Sequence, residues 1–151
     1  ESIRDSLLSV SGRLESKMYG PGTPDQNSLR RSVYLTVRRS QLIPVLQLFD
    51  APDAVQGLGA RQSTTTAPQA LMMLNNPFVL DCVQSLQSRV DSIPHRSNEE
   101  FLRNGFLLVL GRPETAEERE IALRVLGNGE DEQKQDLFQM LVCLNEFFYI
   151  E

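Results

Sequence analysis

At 151 residues, 40% hydrophobic and 23% charged, the chain has a globular composition and enough length to close a core without metal or disulfide staples. A formal charge of −5 argues against a polyanionic partner such as nucleic acid, and no apolar run approaches the roughly 20 residues that a membrane span needs. The charge is uneven: residues 1–39 hold seven Lys/Arg against four Asp/Glu, about +3, and residues 99–151 hold five against twelve, about −7.

The N-terminal segment reads as a helix, because Ile3, Leu7, Val10 and Leu14 recur at a spacing that places them on one stripe. No signal-like stretch precedes it, and the true start is expected upstream of Glu1. Gly20-Pro21-Gly22-Thr23-Pro24 then forces a loop. Over 29–39, Val33, Leu35 and Val37 alternate against Tyr34, Thr36 and Arg38, which favours a short strand, although Leu29, Val33 and Val37 also share a helical face. A brief helix is expected from Leu42 to Phe49, ended by Asp50-Ala51-Pro52-Asp53, and a long ordered loop from Ala54 to Thr65.

Helix starts become clear after that loop. Thr66 with Gln69, Ser97 with Glu100 and Thr115 with Glu118 fit capping boxes, and Asn76-Pro77 supplies a cap followed by proline at the first helical position. Phe78, Val79, Cys82, Val83, Leu86 and Val90 form one apolar face; Phe101, Gly105, Leu108 and Val109 form the next. Ile121, Ala122 and Val125 form a third, and Leu137, Leu141, Leu144 and Phe148 mark a long final helix. Gly111-Arg112-Pro113 and Gly127-Asn128-Gly129 are the turns between them. The predicted architecture is mainly α: a single helical bundle-like domain over 1–151 with a long ordered loop and room for one short β-strand or hairpin. Residues 97–149 form an antiparallel sub-bundle within it.

Candidate chemistry is sparse. Arg30, Arg31, Arg38, Arg39 and Arg61 are the one charge concentration suited to an anionic ligand, since guanidinium forks grip carboxylate, sulfate or phosphate in bidentate fashion. The favoured reading is that they make internal ion pairs with Asp50, Asp53 or the acidic C-terminal helices. His95 is the only histidine and sits in a Pro94-His95-Arg96 turn, where a surface role outweighs catalysis or metal ligation. Cys82 and Cys143 match no metal spacing and read as buried free thiols. Ser63, Thr64, Thr65 and Thr66 have no base implied by spacing, Met72 and Met73 read as core, and Glu114, Glu117, Glu118 and Glu120 complement a helix N-terminus. No catalytic residue, metal site or cofactor is assigned.

The ordered series Glu1-Ser2-Ile3-Arg4-Asp5, Arg30-Arg31-Ser32-Val33-Tyr34, Phe49-Asp50-Ala51-Pro52-Asp53 and Thr66-Ala67-Pro68-Gln69-Ala70-Leu71 carries a resemblance. It continues through Leu74-Asn75-Asn76-Pro77-Phe78-Val79, Leu110-Gly111-Arg112-Pro113 and Asn145-Glu146-Phe147. Together these resemble the C-terminal domain of unknown function in large planctomycete-type secreted proteins, found after c-type cytochrome-related domains. The resemblance implies that this chain is the C-terminal portion of a larger domain, exported to the periplasm or cell envelope. Upstream cytochrome c-like modules would supply any electron transfer, and the family offers no catalytic residues to carry over.

The leading expectation is a non-catalytic interaction or scaffold module that packs against the upstream part of its own polypeptide. An alternative makes the chain the closing part of a cytochrome-linked oxidoreductase or hydrolase site, its arginines orienting an anionic substrate. A third reading, an envelope polysaccharide-binding module, is weakened by the absence of Trp and by only three Tyr for stacking on sugar faces.

Overall fold

The computed structural model describes residues 1–36, 46, 48, 49 and 67–148. The first helix, α1 (Ser2–Val10), buries Arg4, Leu7 and Leu8. The buried stripe is thus rotated from the expected one: Ile3, Val10 and Leu14 only flank the core. After α1 the chain makes two isolated parallel bridges, Glu15 with Arg30 and Thr23 with Leu35. Between the bridges, Ser32–Tyr34 forms a 3₁₀ turn rather than the preferred strand. The cause is local. The Asp5 carboxylate accepts from both the backbone N–H and the hydroxyl of Ser32, each at 2.7 Å, which takes that N–H away from any ladder.

Leu46 and Leu48 are helical, but most of the helix expected over 42–49 lies outside the described residues, as do the loop over 54–65 and the Thr66 cap. Helix α2 (Ala67–Asn75) leads through Asn76 into α3 (Pro77–Asp91). The Asn76 side chain accepts from the Phe78 N–H at 2.9 Å, and Pro77 occupies the first turn, where its missing donor costs nothing. Helix α4 (Asn98–Leu110) starts on Ser97, whose hydroxyl accepts from the Glu100 N–H at 3.3 Å. The expected reciprocal bond is displaced by one residue, because Glu100 accepts from Arg96 N–H at 2.6 Å instead. Gly111 ends the helix in the left-handed region at φ 72°, a conformation that suits glycine.

Helix α5 (Ala116–Leu126) has both halves of its capping box, Thr115 with Glu118. The final segment is two helices, not one: α6 (Asp131–Val142) and the single turn α7 (Asn145–Phe148). Bonds from Cys143 N–H to Met140 O and from Leu144 N–H to Leu141 O, both 3.2 Å, tighten the backbone to three-residue closure there and redirect the chain.

These helices share one contiguous cluster of buried apolar side chains, from Leu7 and Leu8 in α1 to Leu141 and Val142 in α6. Phe101, Phe106 and Phe138 are its largest fully buried members. Helix α3 lies against α1, α2, α4 and α6. Where α4 meets α6, a Cβ on Gly105 would stand 2.8 Å from the Phe138 ring, so this glycine permits the close crossing. The architecture is therefore mainly helical and bundle-like, with no sheet among the described residues. No helix among them is long and apolar enough to cross a membrane.

Candidate functional site

Arg4 sits on the inward face of α1, one turn from Leu7 and Leu8, and is only 4% exposed. A guanidinium there must spend its donors on the protein, because an unmet buried charge is costly. It does so on the returning segment: it donates to the carbonyl of Ser28, to that of Arg30 at 3.0 Å and to the Ser32 hydroxyl at 3.2 Å. It also lies 5.6 Å from the Phe78 ring centroid. Burial lowers the Arg4 pKa, opposed chiefly by the adjacent Asp5 carboxylate, 3.6 Å away. Arg4, Asp5 and Ser32 thus form a polar joint that fixes the 28–34 segment onto α1. Sequence reasoning missed it, although an arginine three and four residues before two buried leucines is a readable signal.

Of the five candidate arginines, Arg30 and Arg31 are placed, whereas Arg38, Arg39 and Arg61 lie outside the described residues. The two neighbours do not converge on a common ligand position. Arg30 turns toward the 17–21 loop, donating to the carbonyls of Tyr19 at 2.6 Å, Pro21 at 3.0 Å and Lys17 at 3.4 Å. Its guanidinium lies 3.7 Å from the Tyr34 ring centroid, a close cation–π contact. Arg31 points outward, 61% exposed, with Nε 3.8 Å from Asp5 Oδ2. The ion-pair partners expected at Asp50 and Asp53 lie outside the described residues; for Arg31 the acidic partner is Asp5.

A second charge network stands at the other end of the chain. Arg112, in the turn that follows Gly111, grips Glu118 of α5 at 2.7 and 2.8 Å and Glu146 of α7 at 2.6 and 2.7 Å. These charge-assisted bonds hold the Glu118 carboxyl down at about 2 and lower that of Glu146, while raising the Arg112 pKa. Of the acidic run read as helix-dipole complement, Glu118 thus also serves in a clamp, while Glu120 pairs with Arg124 at 3.0 Å. Glu114, buried beside it, meets Arg119 at 3.0 Å through one oxygen, and its other oxygen has no hydrogen-bond partner among the described residues.

Of the remaining candidates, Ser63, Thr64, Thr65 and Thr66 lie outside the described residues. Cys82 and Cys143 are free thiols, Cys82 buried and Cys143 half-buried, and burial raises the pKa of both. His95 has Nδ1 2.9 Å from Ile93 O and its ring edge-on to Phe101 at 5.3 Å. Among the described residues no group of three or more His, Cys, Asp or Glu could hold a metal ion. A cavity of about 10 Å³ between α1, α2 and α3, lined in part by Arg4, Leu7, Met72 and Phe78, has room for no more than about one water.

The fold and these networks define a mainly helical domain whose described polar clusters join elements to one another. The chain belongs to the PSD1 family, a family of proteins of unknown function (DUF1553), whose model matches residues 1–126. This is the family that the ordered residue series resembled. No curated protein and no solved structure matches the chain.

Proposed function

We propose that this chain is a non-catalytic interaction or scaffold module, seated against the upstream part of its own polypeptide in an exported, cytochrome-associated protein. The observation that carries this reading is the apolar surface of α2 and the start of α3. Met73 and Val79 are buried, yet Leu71, Leu74 and Leu80 on the same two helices are 59%, 50% and 45% exposed. Helix α2 contains no charged residue, and a helix apolar on several sides belongs in a covered environment. The alternative of an anionic-substrate site draws no support from Arg30 and Arg31, which are engaged with backbone carbonyls and Asp5.

A photo-reactive residue placed at position 74 of the full-length polypeptide tests this. Cross-links to the upstream modules are expected. If the only product is quenched by solvent, the α2 surface is not seated on its own protein and the proposal fails.

A further inference from the structure

Alone among the described helices, α7 buries no residue. A single turn closes too few hydrogen bonds to hold its own shape, so α7 persists only through what it touches. Glu146 meets Arg112 through both carboxylate oxygens, at 2.6 and 2.7 Å. Phe148 stacks on Phe49 with ring centroids 6.2 Å apart, and Phe147 meets Phe148 edge-on at 6.0 Å. All three rings are half-buried, and Phe147 and Phe148 flank the core without entering it. Few buried contacts and an exposed ion pair are the marks of an element that opens before the rest of a fold.

Release of α7 leaves no charge stranded. Arg112 still holds Glu118 through bonds of 2.7 and 2.8 Å, and its Nη1 also donates to the Pro113 carbonyl at 3.1 Å. Glu118 stays tied to its own helix, accepting from the Thr115 N–H at 2.8 Å. Glu146, its side chain already 43% exposed, passes into water. The main penalty for parting an ion pair, an unpaired buried charge, is therefore absent. A hinge is also in place, because the three-residue closures at Cys143 and Leu144 separate α7 from α6. We infer that α7 is a strap that opens at this hinge while the bundle stays folded, its closure governed by the Arg112–Glu146 pair. That pair is exposed enough for dissolved ions to screen it, so the strap responds to ionic strength. Opening uncovers the Phe49 ring, which also walls the cavity between α1, α2 and α3.

Alkylation of the full chain by uncharged iodoacetamide, with the two thiols resolved by peptide mass, tests the strap. Cys143 stands half-buried at the hinge and reports opening; Cys82, buried in α3, reports the bundle. In Glu146→Gln, labelling of Cys143 is expected to rise about fivefold or more while Cys82 keeps the parent's rate. Molar salt should produce the same rise in the parent and none in Glu146→Gln. Glu118→Gln should not accelerate Cys143, because Arg112 then has Glu146 as its one carboxylate among the described residues. A second reading uses Phe148→Trp, in a chain that otherwise has no Trp. Its emission should shift to the red on adding Glu146→Gln, with the circular dichroism unchanged. The inference is overturned if Cys143 is indifferent to Glu146 or if Glu118→Gln accelerates it equally. It is also overturned if Cys82 labelling or the circular dichroism changes in step with α7.

Discussion

Arg4 illustrates how one buried cation organises the N-terminal third. Its donors satisfy the Ser28 and Arg30 carbonyls and the Ser32 hydroxyl, and Asp5 completes the set by holding Ser32 and facing Arg31. Removing the guanidinium takes that donor from the half-buried Ser28 and Arg30 carbonyls and from the buried Ser32 hydroxyl. Arg4→Met is therefore expected to cost about 2–4 kcal/mol in urea denaturation, and Arg4→Lys to recover only a minor part, because an ammonium cannot span the same acceptors. An Arg4→Met variant as stable as the parent would show that water can replace the side chain. The sequence holds the clue to this joint only indirectly. Arg4 falls on the stripe of Leu7, Leu8 and Ser11, but which stripe is buried depends on what α1 meets, and α1 meets both α3 and the 3₁₀ turn.

At the level of elements, caps were legible and the contacts between helix ends were not. Asn76, Ser97 and Thr115 act within three residues of themselves, so their spacing is sufficient to predict the bond. Arg112 joins partners 6 and 34 positions away, which no local pattern encodes. The clamp carries a pH signature. The Glu118 pKa is lowered from 4.5 to about 2 in the folded state, so its contribution is complete above pH 4.5 and is lost as pH falls toward 2. Both groups are about one-third exposed, at 34% for Arg112 and 30% for Glu118, so solvent screening trims that contribution to roughly 1–2 kcal/mol. Glu118→Gln is expected to lower stability by that amount at neutral pH, with the wild-type and variant curves converging near pH 2. Parallel curves across that range would contradict the assignment. The split of the final helix at Cys143 and Leu144 was likewise illegible, since the apolar spacing of Leu137, Leu141, Leu144 and Phe148 runs through it unbroken.

For the molecule as a whole, the distribution of the core decides how it unfolds. Leu8 of α1 and Leu141 of α6 are both fully buried members of one cluster, and α3 touches both helices. One cooperative transition is expected. Leu8→Ala and Leu141→Ala should each lower the same midpoint, by about 2–5 kcal/mol. Two separable transitions, with Leu8→Ala affecting only one, would instead make the C-terminal helices an independent unit. The same scale holds the candidate site. Arg30 and Arg31 are adjacent in sequence, yet one is drawn under the 17–21 loop and the other to Asp5, because successive side chains leave the backbone in different directions.

By itself the sequence determined the helical class, the family, most helix starts and the glycine turns, because each rests on periodicity, on a cap or on a residue series close along the chain. Only the tertiary structure decided that α1 buries an arginine, that residues 32–34 turn instead of extending, and that Glu118 and Glu146 close on Arg112. Those outcomes depend on which distant polar groups meet once the helices pack, and for Arg4 and Ser32 burial makes the meeting obligatory.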